Sequence, residues 1–212
     1  MTAYRPSAEM LMSYVSGSVS PGIALLVKAH AEQVPDSRAD LSELQAFGGA
    51  LLSSTPAEAM SETALSSVLG KLDQLETAPA QRVARDPGPL PQAIADAIGV
   101  DFQDIPWKWR LPGLAEYEFD DFDGETVSLI RAKPGTRIPQ HTHEGREATL
   151  ILTGALRDGD IVYHRGDISL TDERDDHRPE IVGDEVCHCL AVVSGSLRYT
   201  GFFSRALNYL AE

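Results

Sequence analysis

The sequence predicts an α + β protein: a small N-terminal helical bundle followed by a β-sandwich or barrel. Three features predict it. Up to about residue 80 the apolar residues recur at helical spacing. A proline-rich stretch then breaks the pattern. Beyond it, short β-branched and aromatic runs alternate with glycine and proline turns, the mark of an all-β layer rather than a parallel α/β sheet.

The elements follow in order. A short first helix is expected around residues 7–15. Ser20-Pro21 reads as an N-cap with proline at the first helical position, and Ile23, Leu26, Val27, His30 and Val34 then share one face of a second helix. Asp36 is placed as the cap of a third helix whose inner face is Leu41, Leu44, Gly48, Leu51 and Leu52. Ser61 is placed as the cap of a fourth, with Leu65, Val68, Leu69, Leu72 and Leu75 inward. The core of this helical domain, residues 1–78, is assigned to Leu26, Leu44, Leu51, Leu69 and Leu72. Four prolines and a glycine between Pro79 and Pro91 make a semi-rigid, solvated linker over residues 79–91. The second domain, residues 92–212, opens with a helical patch at Gln92–Ile98. Strands are expected at Trp107–Leu111, Thr126–Lys133, Glu147–Thr153, Asp167–Leu170, Val186–Val193 and Leu197–Phe203. Turns at Gly113, Gly124, Gly135, Gly159, Gly166 and Gly195 separate them.

Composition narrows the function classes. At 212 residues and 42% hydrophobic content the chain can bury proper cores. No apolar run approaches the ~20 residues that cross a bilayer, and the first residues lack the pattern of a signal peptide. Cys187 and Cys189 are two apart in an expected strand, near the limit a disulfide can bridge, so free thiols in a reducing cytoplasm are expected. The net charge of −14 argues against direct DNA binding, which needs cations to neutralise phosphates. Residues 1–85 carry six basic and nine acidic side chains, and residues 86–212 carry 12 and 23, which suits a solvated acidic domain or a basic protein partner.

The chemistry concentrates between Gly135 and Gly154. His141 and His143 project to one side of an extended chain, Glu147 has the same parity, and Gly145 permits the bend that returns its carboxylate to them. Two neutral imidazoles and a carboxylate suit a first-row divalent ion. His177, in the turn-rich Asp175–Pro179 segment, is the candidate fourth ligand, with His164 and His188 as competitors. Trp107 and Trp109 are read as an edge strand packing the barrel, and Asp120–Asp123 as a solvated hairpin tip.

This stretch fills every position of the first cupin motif, G-x5-H-x-H-x3-E-x6-G, so the second domain resembles a cupin, a small jelly-roll barrel. The second motif is degraded: Gly166 is present, but His177 follows eleven residues later. Helical bundle, proline-rich linker and cupin in that order resemble ChrR-type anti-sigma factors. So do Met10–Tyr14 with Ser16-Gly17, Ala24–Val27 with Lys28–His30, Phe47–Gly49, and Cys187–Ala191. The resemblance implies a regulator whose helical domain binds an extracytoplasmic-function sigma factor. Its cupin would hold one divalent ion per chain, zinc before iron, nickel or manganese, and sense oxidative stress of the singlet-oxygen or peroxide type. A homodimer through the cupin is compatible with it. The alternatives are a metal-dependent cupin dioxygenase, whose ion keeps open positions for substrate, or a cupin sensor that no longer binds sigma. The chain departs from the family at the zinc site of the helical domain, a His-x3-Cys-x2-Cys pattern plus an N-terminal histidine. His30 keeps the first position, but Val34 and Ser37 replace the cysteines and Arg5 the other histidine, so a structural histidine and no bundle zinc are expected.

Overall fold

The structure, a computed structural model, describes residues 4–72, 86–120, 122 and 124–201. Four helices come first: α1 (Ala8–Val15), α2 (Pro21–Gln33), α3 (Pro35–Ser54) and α4 (Ala64–Leu72). A fifth, α5 (Gln92–Ile98), leads into eleven strands. These are β1 (Lys108–Leu111), β2 (Leu114–Glu118), β3 (Thr126–Ala132), β4 (His141–His143), β5 (Arg146–Thr153) and β6 (Ala155–Asp158). After them come β7 (Ile161–His164), β8 (Ile168–Thr171), β9 (Glu180–Val182), β10 (Cys187–Ser194) and β11 (Leu197–Tyr199). One antiparallel sheet runs β1-β2-β3-β10-β5-β8; a second is β7-β6-β9, and β4 pairs with β11. All six glycines of the expected turns take positive φ. The strands missed by the sequence pattern, β2, β6, β7 and β9, are three to five residues long, too short for alternation to register.

The central strands are buried on both faces, so they read as continuous apolar runs rather than alternating ones. One face, with Ala132, Ile151, Cys187 and Cys189, meets Leu156, Tyr163 and Ile181 of the smaller sheet. Both thiols there are free and buried. The other face, with Val127, Leu129, Leu150, Leu190 and Val192, is covered by Leu26 and Ala29 of α2 and Ile94 and Ile98 of α5. Trp107 packs at the edge of this layer, while Trp109 on the open edge strand β1 is exposed.

Ser20 and Pro21 open α2 as expected, with a carboxylate from the barrel completing the cap. Glu125 accepts the Ser20 hydroxyl at 2.6 Å and the Gly22 N–H at 3.0 Å, placing negative charge at the positive end of the helix. A Cβ on Gly22 would lie 2.8 Å or less from Glu125, Val127 and Val192, so only glycine lets α2 sit this close to the sheet. At its other end α2 returns the service: Glu32 accepts the Ala93 N–H of α5 at 3.1 Å.

The four helices come first as expected, but their core is not the one assigned. Only Leu26 of the five assigned core residues is buried, and it belongs to the sheet core. Leu44 is partly buried beside Leu11, Val27 and Leu41, whereas Leu51, Leu69 and Leu72 are exposed. The second half of α3 and all of α4 stand clear of the body, because the sheet has already taken the buried face of α2. Proline at the first position starts α3 one residue early, so Asp36 lies in its first turn and Val34 occupies the cap without a side-chain bond. A turn bonding the Ala64 N–H to the Ser61 carbonyl precedes α4. Leu75 and residues 79–85 of the expected linker lie outside the described residues. Leu90 and Pro91, read as solvated spacer, are buried against the helix-covered core.

Candidate metal centre

A two-residue turn, Glu144-Gly145, joins β4 to β5, which lie in different sheets. A Cβ on Gly145 would overlap the Ser194 carbonyl oxygen, so glycine is required for the bend. The alternation of β4 sends His141 and His143 inward, where both are buried, and Glu147 joins them from the start of β5. His177 reaches them from outside any strand. Its N–H donates to the His141 carbonyl at 3.0 Å and its carbonyl accepts the His141 N–H at 3.1 Å. This two-bond bridge fixes the imidazole opposite its partner, and so the eleven-residue spacing after Gly166 does no harm.

The ligand atoms of His141, His143, Glu147 and His177 all lie within 4.8 Å of one another. His177 Nε2 is 3.0 Å from His141 Nε2 and 3.3 Å from His143 Nε2, and His143 Nε2 is 2.8 Å from Glu147 Oε2. Ligands on a tetrahedral ion with bonds of about 2.0–2.1 Å sit roughly 3.3 Å apart, so the spacing fits. The hydrogen-bonded partners sharpen this. His141 Nδ1 donates to the Pro139 carbonyl at 2.8 Å, and His177 Nδ1 donates to the Asp158 carboxylate at 2.7 Å. Both Nε2 atoms of the neutral rings therefore carry lone pairs, and these face each other at 3.0 Å. Two lone pairs so placed need a cation between them, a proton or a metal. The set can hold a metal.

Electrostatics around the cluster is mixed. Burial, against the backbone bond to Pro139, lowers the His141 pKa. For His177 burial pulls down, but the hydrogen bond and charge of Asp158 outweigh it and the pKa is raised. Burial would raise the Glu147 pKa, yet His143 and the Thr149 hydroxyl, which donates at 2.6 Å, hold it below the ordinary value. Asp158 and Thr149 were not singled out from sequence. Thr149 shares the parity of Glu147 and was findable on that ground; Asp158 read only as a turn residue. Tyr199 of β11 also approaches, its ring centroid 6.4 Å from that of His141.

The two competing histidines lie elsewhere. His164 is an exposed residue at the end of β7. His188 sits on the helix-covered face of β10 against Phe102 and Trp107, with Nδ1 2.8 Å from the Thr153 hydroxyl. Burial, aided by the positive charge of Arg131, lowers its pKa to about 4. A group depressed below its unfolded value of ~6.5 withholds a proton that the unfolded chain accepts. Stability should therefore fall as pH drops from about 6.5 to 4, by at most about 2–3 kcal/mol from this residue. Urea titrations of wild type and His188→Gln across that range test it. A stability difference between them that stays flat with pH would show that His188 is not held neutral.

A helix-backed antiparallel sheet enclosing three histidines and a carboxylate between its layers defines a cupin whose site can hold a metal. Comparison with known proteins extends this over the whole chain. Residues 95–197 match the ChrR cupin-like domain family. The anti-sigma-E factor ChrR of Cereibacter sphaeroides is 32% identical over 200 residues, spanning 94% of this chain and 93% of the relative. The crystal structure of Rhodobacter sphaeroides SigE in complex with the anti-sigma ChrR superposes with a TM-score of 0.75 at 28% identity, over 90% of this chain and 98% of that one. The chain belongs to the ChrR family of anti-sigma factors, which are regulators rather than enzymes.

Proposed function

We propose that the chain holds an extracytoplasmic-function sigma factor on the exposed apolar face of α3 and α4, and that His141, His143, Glu147 and His177 ligate one divalent ion, zinc in preference to iron, nickel or manganese. The exposed face carries the reading. Leu65, Val68, Leu69 and Leu72 form one stripe along α4, and Phe47, Leu51 and Leu52 are exposed on α3. All seven are at least half exposed, and no residue of α4 is buried. Exposed apolar stripes of this kind mark protein interfaces. The complex of SigE with a ChrR protein, superposing over nine-tenths of this chain, supports a sigma factor as the occupant. The net charge of −14 favours a protein partner over DNA, and the open edge of β1 leaves room for a homodimer through the barrel.

The helical part expected at residues 1–78 is thus the binding arm, and the cupin the sensing part. Four protein ligands close a tetrahedral zinc site, as structural and sensing sites require, whereas a catalytic site keeps a position open. The oxidative signal, singlet oxygen or peroxide, comes from the family resemblance. A cytoplasmic location follows from the partner, since sigma factors act on RNA polymerase inside the cell. Two free buried thiols agree with it, and no helix among the described residues is long and apolar enough to cross a membrane.

Phe47→Glu with Leu69→Glu tests the arm. Central apolar anchors are each worth about 2 kcal/mol or more, so affinity for an extracytoplasmic-function sigma factor of the SigE type should fall at least about 30-fold. The melting temperature should stay put, because neither side chain is buried. Unchanged affinity, measured by calorimetry, would move the interface off α3 and α4.

A further inference from the structure

The family pattern of a metal in the helical part is not met here. Arg5, His30, Val34 and Ser37 supply one good zinc ligand where four are needed. The structure puts other interactions at these positions. His30 is fully buried, with Nε2 2.9 Å from the Ser37 hydroxyl, which joins α2 to α3. Arg5 Nη2 donates to Asp36 at 2.9 Å and ties the N-terminal segment to the start of α3. Val34 lies over Gly166, where an added Cβ would come 2.9 Å from its Cγ2.

We infer that these positions form a metal-free clasp that fastens the N-terminal segment, α2 and α3 to the β7–β8 turn of the barrel, His164–Asp167. Contacts converge on that turn from four places in the helical region. The Tyr4 N–H donates to Asp167 Oδ1 at 3.1 Å, and the Ile168 N–H, just past the turn, donates to the Tyr4 carbonyl at 2.8 Å. Tyr4 thereby covers the outer edge of β8, and its ring lies 4.9 Å from that of Tyr163. Arg165 Nε donates to Gln33 Oε1 at 2.9 Å. His30 faces the Gly166 backbone, and Val34 closes over the same glycine. Gly166 has φ +88°, so it is free to make the tight turn and to let the helices approach. The clasp is a hydrogen-bonded and apolar substitute for a metal cross-link, and it stands whether or not the sigma reading holds.

Amide hydrogen exchange and elemental analysis on the full chain test it. Gly166→Ala puts a Cβ against Val34 at a strained φ, and Tyr4→Ala removes the ring contact with Tyr163. Amides of residues 30–40 should exchange about tenfold faster in both variants, as expected for local opening. Those of β5 and β10 should keep their protection, and metal content should not change. If Gly166→Ala fails to fold, Tyr4→Ala gives the answer. Unaltered exchange at residues 30–40 in Tyr4→Ala would overturn the clasp. So would a second metal equivalent in the wild type that survives His141→Ala and disappears in His30→Ala, for then a metal does hold the helices.

Discussion

Replacing His141 with alanine is expected to release the ion and to lower the melting temperature of the chain to that of chelated wild type. His141 is the ligand to choose, because it is 3% exposed and its backbone bridge positions His177. Its removal would leave the His143, Glu147 and His177 donors without the fourth member of the cluster. Structural zinc contributes roughly 10 kcal/mol or more in domains that have little other core. This barrel has a large core of its own, so the loss is set by linkage instead: about 4 kcal/mol when free ion exceeds its Kd a thousandfold. The position of the ligands makes the effect spread. Among the described residues β4 pairs with β11 and His177 bridges to β4, while Glu147 stands in the six-stranded sheet. An ion at their centre would therefore cross-link two otherwise separate pieces of sheet. Because the imidazoles must be deprotonated to bind, affinity should also weaken on acidification, with His177, whose pKa Asp158 raises, competing for a proton first. Elemental analysis with calorimetric melts reads both effects. Full metal occupancy in His141→Ala would refute the ligand set.

The metal cluster was legible because its information is local. His141, His143 and Glu147 lie within seven residues, and strand alternation with one obligatory glycine brings them together whatever surrounds them. His177 was findable only as a candidate, since its position depends on a backbone bridge to a residue 36 away. The helices themselves were legible from caps and periodicity, down to α1, α2 and α5. What those helices pack against was not. An apolar stripe states that a face needs cover, and says nothing about what covers it. Leu26 on α2 and Leu69 on α4 look alike in sequence, yet one is fully buried against the sheet and the other half exposed. Gly22 was the available clue: a glycine in the first turn of an otherwise good helix marks close approach of another backbone or side chain.

Leu26→Ala should consequently destabilise the whole chain, not the helical part alone. Leu26 has no exposed surface and belongs to the same core as Val127, Leu129, Leu150 and Leu190. Truncating a leucine in such a site costs about 2–5 kcal/mol, the lost transfer energy plus the cavity left behind. At roughly 2–4 °C per kcal/mol for a chain of this size, the melting temperature should drop by about 5–20 °C. Helix and sheet signals should move together, because α2 is bound to the barrel by that core, by Glu125 at its first turn and by Glu32 at its last. Leu69→Ala is the matched control. Its side chain is half exposed, so its effect should stay within about 0.5 kcal/mol. The same reasoning predicts that a fragment ending near Arg85 does not fold on its own, since it would expose the face of α2 that the sheet covers. Circular dichroism at helical and near-ultraviolet wavelengths decides the matter. Two separate transitions in Leu26→Ala, with the helical one shifted and the barrel's unmoved, would mean that the helices keep a core of their own.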